Sequence, residues 1–402
     1  CINRSLPEAI LQTKMGLTSV SDKPDDYKYY PYIVTPQELL FDNFIKYTIK
    51  SESCTPLNIP TGILKDIYYK KNFSFTDNAN SPDGLPEINS INKGDLMAFK
   101  VGSKRMKEVR VAIANVPLNV NTLVHALRGL PDRSYKRYNC LAKVVNQAIK
   151  EKADMLVLPE AYVPMEWIPA LARISANNQI ALVFGVEHIA NSNGKVFNYT
   201  ASILPYSKEQ EYRFAHIVLH QKKYFAPAES ERIRGFRMEP EEGKKDSDLI
   251  VWNDLWFATL CCYELASIHD RCKLFNYIDM IIAVEWNRDV QYFSSIIESL
   301  SRDLHCYCVQ VNSSRYGDNR ITQPASTELK DLVRFKGGIN ETIVIETIKI
   351  DSLRRFQEME YNLQKENGSF KPTPPIFKKG LVVKKMRGDL WEYLHEEEPC
   401  QS

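Results

Sequence analysis

Three polar residues stand at the carboxyl ends of apolar runs, the place where α/β domains present reactive groups. Glu160 closes Leu156-Val157-Leu158-Pro159-Glu160, Lys222 follows Leu219-His220-Gln221, and Cys262 closes Thr259-Leu260-Cys261-Cys262. Each type has a use in acyl-transfer chemistry. A thiol is a strong nucleophile only as thiolate, so a neighbouring base must take its proton. A carboxyl group in a dry pocket can accept that proton and return it to a leaving amine. The attack leaves an anionic oxygen, which a fixed ammonium and a backbone N–H can stabilise.

Each residue also has a plainer reading. Cys262 could be a small buried hydrophobe, although alternation on a strand gives that role to Cys261. Glu160 could cap the next helix. Lys222 could be a solvated lysine, and Lys223 beside it could be mistaken for it. His216 and His220 lie four apart, but on a strand rather than a helix, so core or edge histidines are expected rather than metal ligands. His269 invites a Cys–His pairing that lacks an orienting Asn or Asp. Glu264 fits a hydrogen bond around the turn of Cys262, and Glu285 and Trp286 fit either a pocket lining or simple packing. Cys306, Cys308 and His305 offer half of a zinc spacing without its second half.

The elements that must position these groups are legible as apolar patterns. Val109, Val111 and Ile113 alternate as in a strand. Residues 134–153 read as a helix with Leu141, Val144, Val145, Ala148 and Ile149 on one face. Strands are expected at 155–158, 180–186, 199–204, 211–219, 255–262, 280–284, 306–312 and 341–350, with helices at 167–178 and 292–304. Alternating strands and helices argue for an α/β domain with buried sheets. Residues 1–105 carry loop signals and an amphipathic stretch at 38–47, and read as a mostly helical or irregular N-terminal extension, a linker, or the end of a preceding domain. The α/β pattern spans 106–352. Residues 353–402 read as a polar C-terminal tail that packs late or on a partner, with Lys378, Lys379, Lys384, Lys385 and Arg387 on a solvated face.

Of 402 residues, 44% are hydrophobic and 25% charged, which fits a folded chain, and the net charge of +2 argues against nucleic-acid binding by the whole chain. No apolar run approaches membrane-spanning length. Nine cysteines, an odd number with several in apolar runs, suggest reduced thiols and a cytoplasmic setting. The first residue is Cys rather than Met, which suggests a piece of a longer chain.

Glu160, Lys222 and Cys262, in that order, resemble the nitrilase superfamily of carbon–nitrogen hydrolases over residues 107–352. Phe184-Gly185-Val186-Glu187, Asn198-Tyr199-Thr200-Ala201, Lys222 to Glu229 and Cys262-Tyr263-Glu264 fit the same pattern, with Tyr224-Phe225 in place of the usual His-Leu. The resemblance implies a four-layer αββα sandwich and a catalytic triad of Glu160, Lys222 and Cys262. It implies Glu229 as a second carboxylate ordering Lys222, and the Tyr263 N–H as oxyanion donor. It further implies a small amide or nitrile substrate, no metal or organic cofactor, and self-association into a homo-oligomer. The sequence departs from the pattern at Leu265–Arg271 and at 317–338, where substrate loops are expected. Ala283-Val284-Glu285-Trp286-Asn287-Arg288-Asp289, Tyr292-Phe293-Ser294-Ser295 and Asp303-Leu304-His305-Cys306-Tyr307 resemble the nitrilase part of bacterial reverse transcriptase–nitrilase fusions of antiphage defence. In such a fusion, nucleic-acid contact would come only through the polymerase domain. The competing expectation is a scaffold that keeps the fold, drives oligomerisation and turns over little.

Overall fold

The computed structural model describes residues 89–93, 96–208, 212–243 and 247–396. The amphipathic stretch expected at 38–47 lies outside them. In chain order the strands are β1 (Asn89–Lys93), β2 (Leu96–Val101), β3 (Val109–Asn115), β4 (Met155–Val157), β5 (Ala181–Ala190), β6 (Lys195–Lys208), β7 (Tyr212–Gln221) and β8 (Glu239–Pro240). They continue with β9 (Ser247–Trp252), β10 (Leu255–Cys261), β11 (Met280–Glu285), β12 (Tyr307–Asn312), β13 (Asn319–Thr322), β14 (Asp331–Phe335) and β15 (Thr342–Ile348). One sheet runs β15-β3-β4-β5-β6-β7, with β8 paired to β6; the other runs β1-β2-β9-β10-β11-β12-β13-β14.

The layers follow from strand alternation. On β3, Val109, Val111 and Ile113 enter the core between the sheets, where they join Phe257, Ile282, Val284 and Val309 of the second sheet. Ala112 and Ala114 point the other way, into a core shared with helices α2 (Tyr135–Lys150) and α3 (Ile168–Asn178), while Leu123 and Leu127 of α1 (Thr122–Leu127) pack apart from it with Val196, Phe225 and Ile233. Ser134 caps α2 by accepting a hydrogen bond from the Arg137 N–H, and Leu141, Val144, Val145 and Ala148 form its buried stripe, as the periodicity predicts. Helix α4 (Pro227–Gly235) and the short α5 (Ile268–Lys273) follow the strands that carry Lys222 and Cys262. Helix α6 (Val290–Asp303) covers the outer face of the second sheet through Phe293, Ile297 and Leu300. The result is the αββα sandwich.

Two regions differ from expectation. The segment 317–338, read as a polar loop, supplies the antiparallel pair β13–β14 at the edge of the second sheet, with a bulge at Ile321/Thr322. The segment after Asp351, read as a loosely packed tail, forms α7 (Ile350–Glu358), α8 (Tyr361–Asn367), α9 (Lys379–Arg387) and α10 (Leu390–Glu396). Leu353, Phe356 and Phe370 enter the inter-sheet core, and Leu381, Leu390, Trp391 and Leu394 pack with α6. Lys385, expected on a solvated face, is buried against Asp279, because its neighbours are apolar and a buried ammonium needs a partner. At the other end, β2 begins at Leu96 and pairs in parallel with β9, so the sheet takes in residues ahead of 106.

Candidate active site

Glu160 lies in the turn after β4. That turn is held against β5 by bonds that only a glycine permits: the Gly185 N–H donates to the Pro159 carbonyl, and the Tyr162 and Val163 N–H groups donate to the Gly185 carbonyl. A Cβ on Gly185 would sit 2.3 Å from the Glu160 Cα and 2.6 Å from the Ala161 N. Behind the turn, Arg137 donates to the Tyr162 carbonyl and to buried Glu187, which also receives Arg133.

Lys222 is the first residue beyond β7, and its N–H donates to the Asn198 carbonyl at 2.9 Å. Its ammonium lies 2.7 Å from Glu160 Oε1 and 2.7 Å from Glu229 Oε2, and the side chain is fully buried. Lys223 turns away, with its ammonium 3.5 Å from Asp270. Glu229, in the first turn of α4, has both oxygens engaged: Oε2 also accepts the Ala226 N–H, and Oε1 lies 2.7 Å from His188 Nε2. Burial pushes the Lys222 ammonium down, but Glu160 and Glu229 outweigh it and hold it well above its ordinary value. Burial pushes the Glu229 carboxyl up, and Lys222 and His188 reverse this to about 2.

Cys262 leaves β10 with φ of 48°, a left-handed conformation costly for a side chain with a Cβ, and starts a 3-10 turn that runs Cys262–Ala266. Cys261, one residue earlier, packs into the inter-sheet core, as alternation predicts. Strands β10 and β11 pair Cys261 with Val284, so Cys262 and Glu285 follow side by side at the ends of adjacent parallel strands. Glu160 docks on that same end: its N–H donates to the Glu285 carbonyl at 3.4 Å, and its Oε2 accepts the Trp286 N–H at 3.0 Å. Burial pushes the Cys262 thiol well above its ordinary value, with Glu160 reinforcing the shift and Lys222 opposing it. The sulfur therefore rests as a thiol and needs a base to react. Cys262 keeps 7% of its surface exposed.

Glu264 ties the turn together. It accepts the N–H of Cys261 and the N–H of Lys223, each at 2.7 Å, so one carboxylate joins the residue before the nucleophile candidate to the residue after the lysine. His220 Nε2 lies 3.0 Å from Glu264, and its Nδ1 lies 2.6 Å from Asp248. Burial pushes His220 down, but Glu264 and Asp248 raise it to about 10, a buried imidazolium. Tyr263 is partly exposed and occupies the first turn of the 3-10 segment, where N–H groups lack an intrahelical acceptor. His269 is exposed on α5.

The structure thus brings Glu160, Lys222 and Glu229 into direct contact, with Cys262 and Glu264 on the adjoining strand end. Reading the sequence missed His188 and the role of His220, and left Glu285 open between pocket lining and packing. Their partners are distant in sequence, and no spacing announces them. Among the described residues one cluster has metal-ligand spacing: Glu160, His188 and Glu229, whose donor atoms lie within 4.8 Å of one another. The Lys222 ammonium already bonds two of these carboxylates. At the other candidate, His305 uses both ring nitrogens on Lys371 and Gln357, while Cys306 and Cys308 pack into the α6 core.

No protein-family model and no curated protein sequence matches the chain. Among solved structures it is similar to an amidase from Nesterenkonia (14% identity over 66% of this chain and 97% of that one, TM-score 0.44). It is also similar to Nit3 of Saccharomyces cerevisiae, described as a member of branch 10 of the nitrilase superfamily (17% identity over 63% of this chain and 96% of that one, TM-score 0.44). A third is a CN-hydrolase superfamily protein from Xanthomonas campestris (13% identity over 63% of this chain and 94% of that one, TM-score 0.45). No helix among the described residues is long and apolar enough to cross a membrane.

Proposed function

We propose that the chain is a carbon–nitrogen hydrolase of nitrilase type that cleaves a small amide through a Cys262 thioester. The observation that carries this reading is the Lys222 ammonium held 2.7 Å from Glu160 at the strand end where Cys262 starts its turn. Glu160 takes the thiol proton as the sulfur attacks the carbonyl carbon. Lys222 and the Tyr263 N–H stabilise the oxyanion, and Glu160 passes the proton to the departing amine. Water, deprotonated by the same carboxylate, then attacks the thioester and releases the acid and the free thiol. Glu229 keeps Lys222 charged and aimed, and Glu264 holds the turn. No step needs a metal or an organic cofactor.

On the resemblance of the segments around Ala283–Asp289 and Asp303–Tyr307, we place this hydrolase as the nitrilase part of an antiphage reverse transcriptase system, self-associating and acting on a small molecule. The scaffold reading draws on the deep burial of Cys262 and its raised thiol. One experiment separates the two. Intact protein is treated with iodoacetamide and the modified residue is located by mass spectrometry, while Cys262→Ala, Glu160→Gln and Lys222→Met are assayed for ammonia release from an amide panel and for phage protection. Modification of Cys262 and loss of both activities in all three variants are expected. An inert Cys262, with protection intact in Cys262→Ala, would leave only the scaffold.

A further inference from the structure

Glu285 is the buried acid that this reaction scheme leaves unused. It closes β11, has no exposed surface, and follows Val284, the register partner of Cys261, so it stands next to Cys262. Its main-chain carbonyl accepts from Glu160, and the next residue's N–H donates to Glu160, so the two acids are joined through the backbone. Its two oxygens differ. Oε1 accepts from Gln310 Nε2 at 3.0 Å, while Oε2 is buried without a hydrogen-bond partner.

An ionised carboxylate with one oxygen unbonded and out of water carries a large desolvation cost. A neutral acid avoids that cost, and its proton belongs on Oε2, because Oε1 already accepts from Gln310. The charged groups around it agree. Burial pushes the carboxyl up, the Gln310 hydrogen bond opposes this, Glu160 and Asp318 reinforce it, and Arg320 opposes it, leaving the group at about 8. Once ionised, Glu285 bears on the Cys262 thiol and pushes it further up. A carboxylic acid kept neutral in a dry site is a hydrogen-bond donor.

We propose that Glu285 is a specificity-determining donor of the Cys262 site, whose carboxyl O–H on Oε2 takes an acceptor oxygen that the substrate carries beside the carbon under attack. This rests on the hydrolase reading. It selects amides with an oxygen acceptor at that position over amides presenting only hydrocarbon or a cation there.

The test compares two thiol reagents on the intact protein: 2-chloroacetamide, which carries an acceptor oxygen beside the attacked carbon, and iodomethane, which carries no hydrogen-bonding group beside its attacked carbon. The ratio of their rates at Cys262 is measured in wild type, Glu285→Ala and Glu285→Gln. At pH 7 the ratio falls about tenfold in the Ala variant and stays within about twofold of wild type in Gln, whose amide NH₂ replaces the O–H donor. In wild type the ratio declines above pH of about 8, as the donor ionises, and in Glu285→Gln it does not. A ratio indifferent to both substitutions overturns the inference, as does a Gln variant that falls with Ala. The wild-type pH profile and the isosteric Gln variant decide the matter even where Ala does not fold. If Cys262 in folded wild type reacts with neither reagent, the hydrolase reading falls as well; if it reacts with both and Glu285 has no influence, only this inference falls.

Discussion

Two of the buried ionic clusters among the described residues are built from similar parts, and they behave in opposite ways. In one, Lys222 lies between Glu160 and Glu229, with no second cation on Glu160 among the described residues. In the other, Asp279 receives Arg354 through two nitrogens, Lys385 at 3.2 Å and the Trp256 N–H, while Arg354 also reaches Asp254. Burial pushes both lysines down. Two carboxylates lift Lys222 well above its ordinary value, whereas Lys385 gains from Asp279 but is opposed by Arg354 and settles at about 8. The Asp279 cluster sets two cations, Arg354 and Lys385, against two carboxylates, Asp279 and Asp254, and pins α7 and α9 to the second sheet. The Lys222 cluster has an excess of carboxylate beside a thiol, which suits it to moving a proton.

The sharpest way to break this comparison is to remove the two lysines in turn. Lys222→Met leaves two carboxylates facing each other in the dry interior and is expected to cost about 3–5 kcal/mol in urea unfolding. It should also lower amide turnover about a hundredfold or more. Lys385→Met leaves Arg354 on Asp279 and is expected to change stability by about 1 kcal/mol or less. Equal costs for the two would show that the clusters do not differ as described.

Next in size is Gly185→Ala. Its Cβ would meet the Glu160 backbone at 2.3 Å, so the Glu160 turn must move. We expect about 1–3 kcal/mol of destabilisation and a tenfold or greater loss of turnover. Wild-type kinetics in this variant would show that the turn is free to shift.

Two histidines on β7 give a smaller, pH-resolved test. His220 is raised to about 10 from an ordinary 6.5, so its contribution to stability is complete below pH 6.5 and is lost as pH rises through about 10. His216, lowered by burial to about 4, subtracts stability as pH falls from 6.5 to about 4. Denaturation midpoints across pH should therefore lose their alkaline decline in His220→Gln and their acid decline in His216→Gln. The smallest expected signal is at Lys385. Its lowered value means that the unfolded chain binds more protons between about 8 and 10.5, so stability from this group rises with pH there. Lys385→Met should remove that rise.

Much of the frame was legible before any coordinates. The alternation at Val109–Ile113 and the stripe on α2 call for a strand and for a helix with one buried face, and both are found. Glu160, Lys222 and Cys262 stood out because each polar residue ends an apolar run, and all three lie at strand ends. The tail was misjudged because its apolar residues are sparse: Leu353, Phe356, Phe370 and Trp391 are separated by charged stretches, and their burial depends on surfaces supplied by other strands. Lys385 read as solvated for the same reason.

Residue types and local periods by themselves settled which segments become strands or helices, and which side chains end up at strand termini, since both follow from side-chain direction along a single element. Tertiary structure alone decided the charge state of each buried group. His216 and His220 share a strand, a face and a degree of burial, yet one is pushed to about 4 and the other to about 10. The difference lies in Asp248 and Glu264, carried in by β9 and by the turn after β10, because in a low-dielectric interior the nearest charges outweigh anything the residue's own sequence neighbourhood supplies.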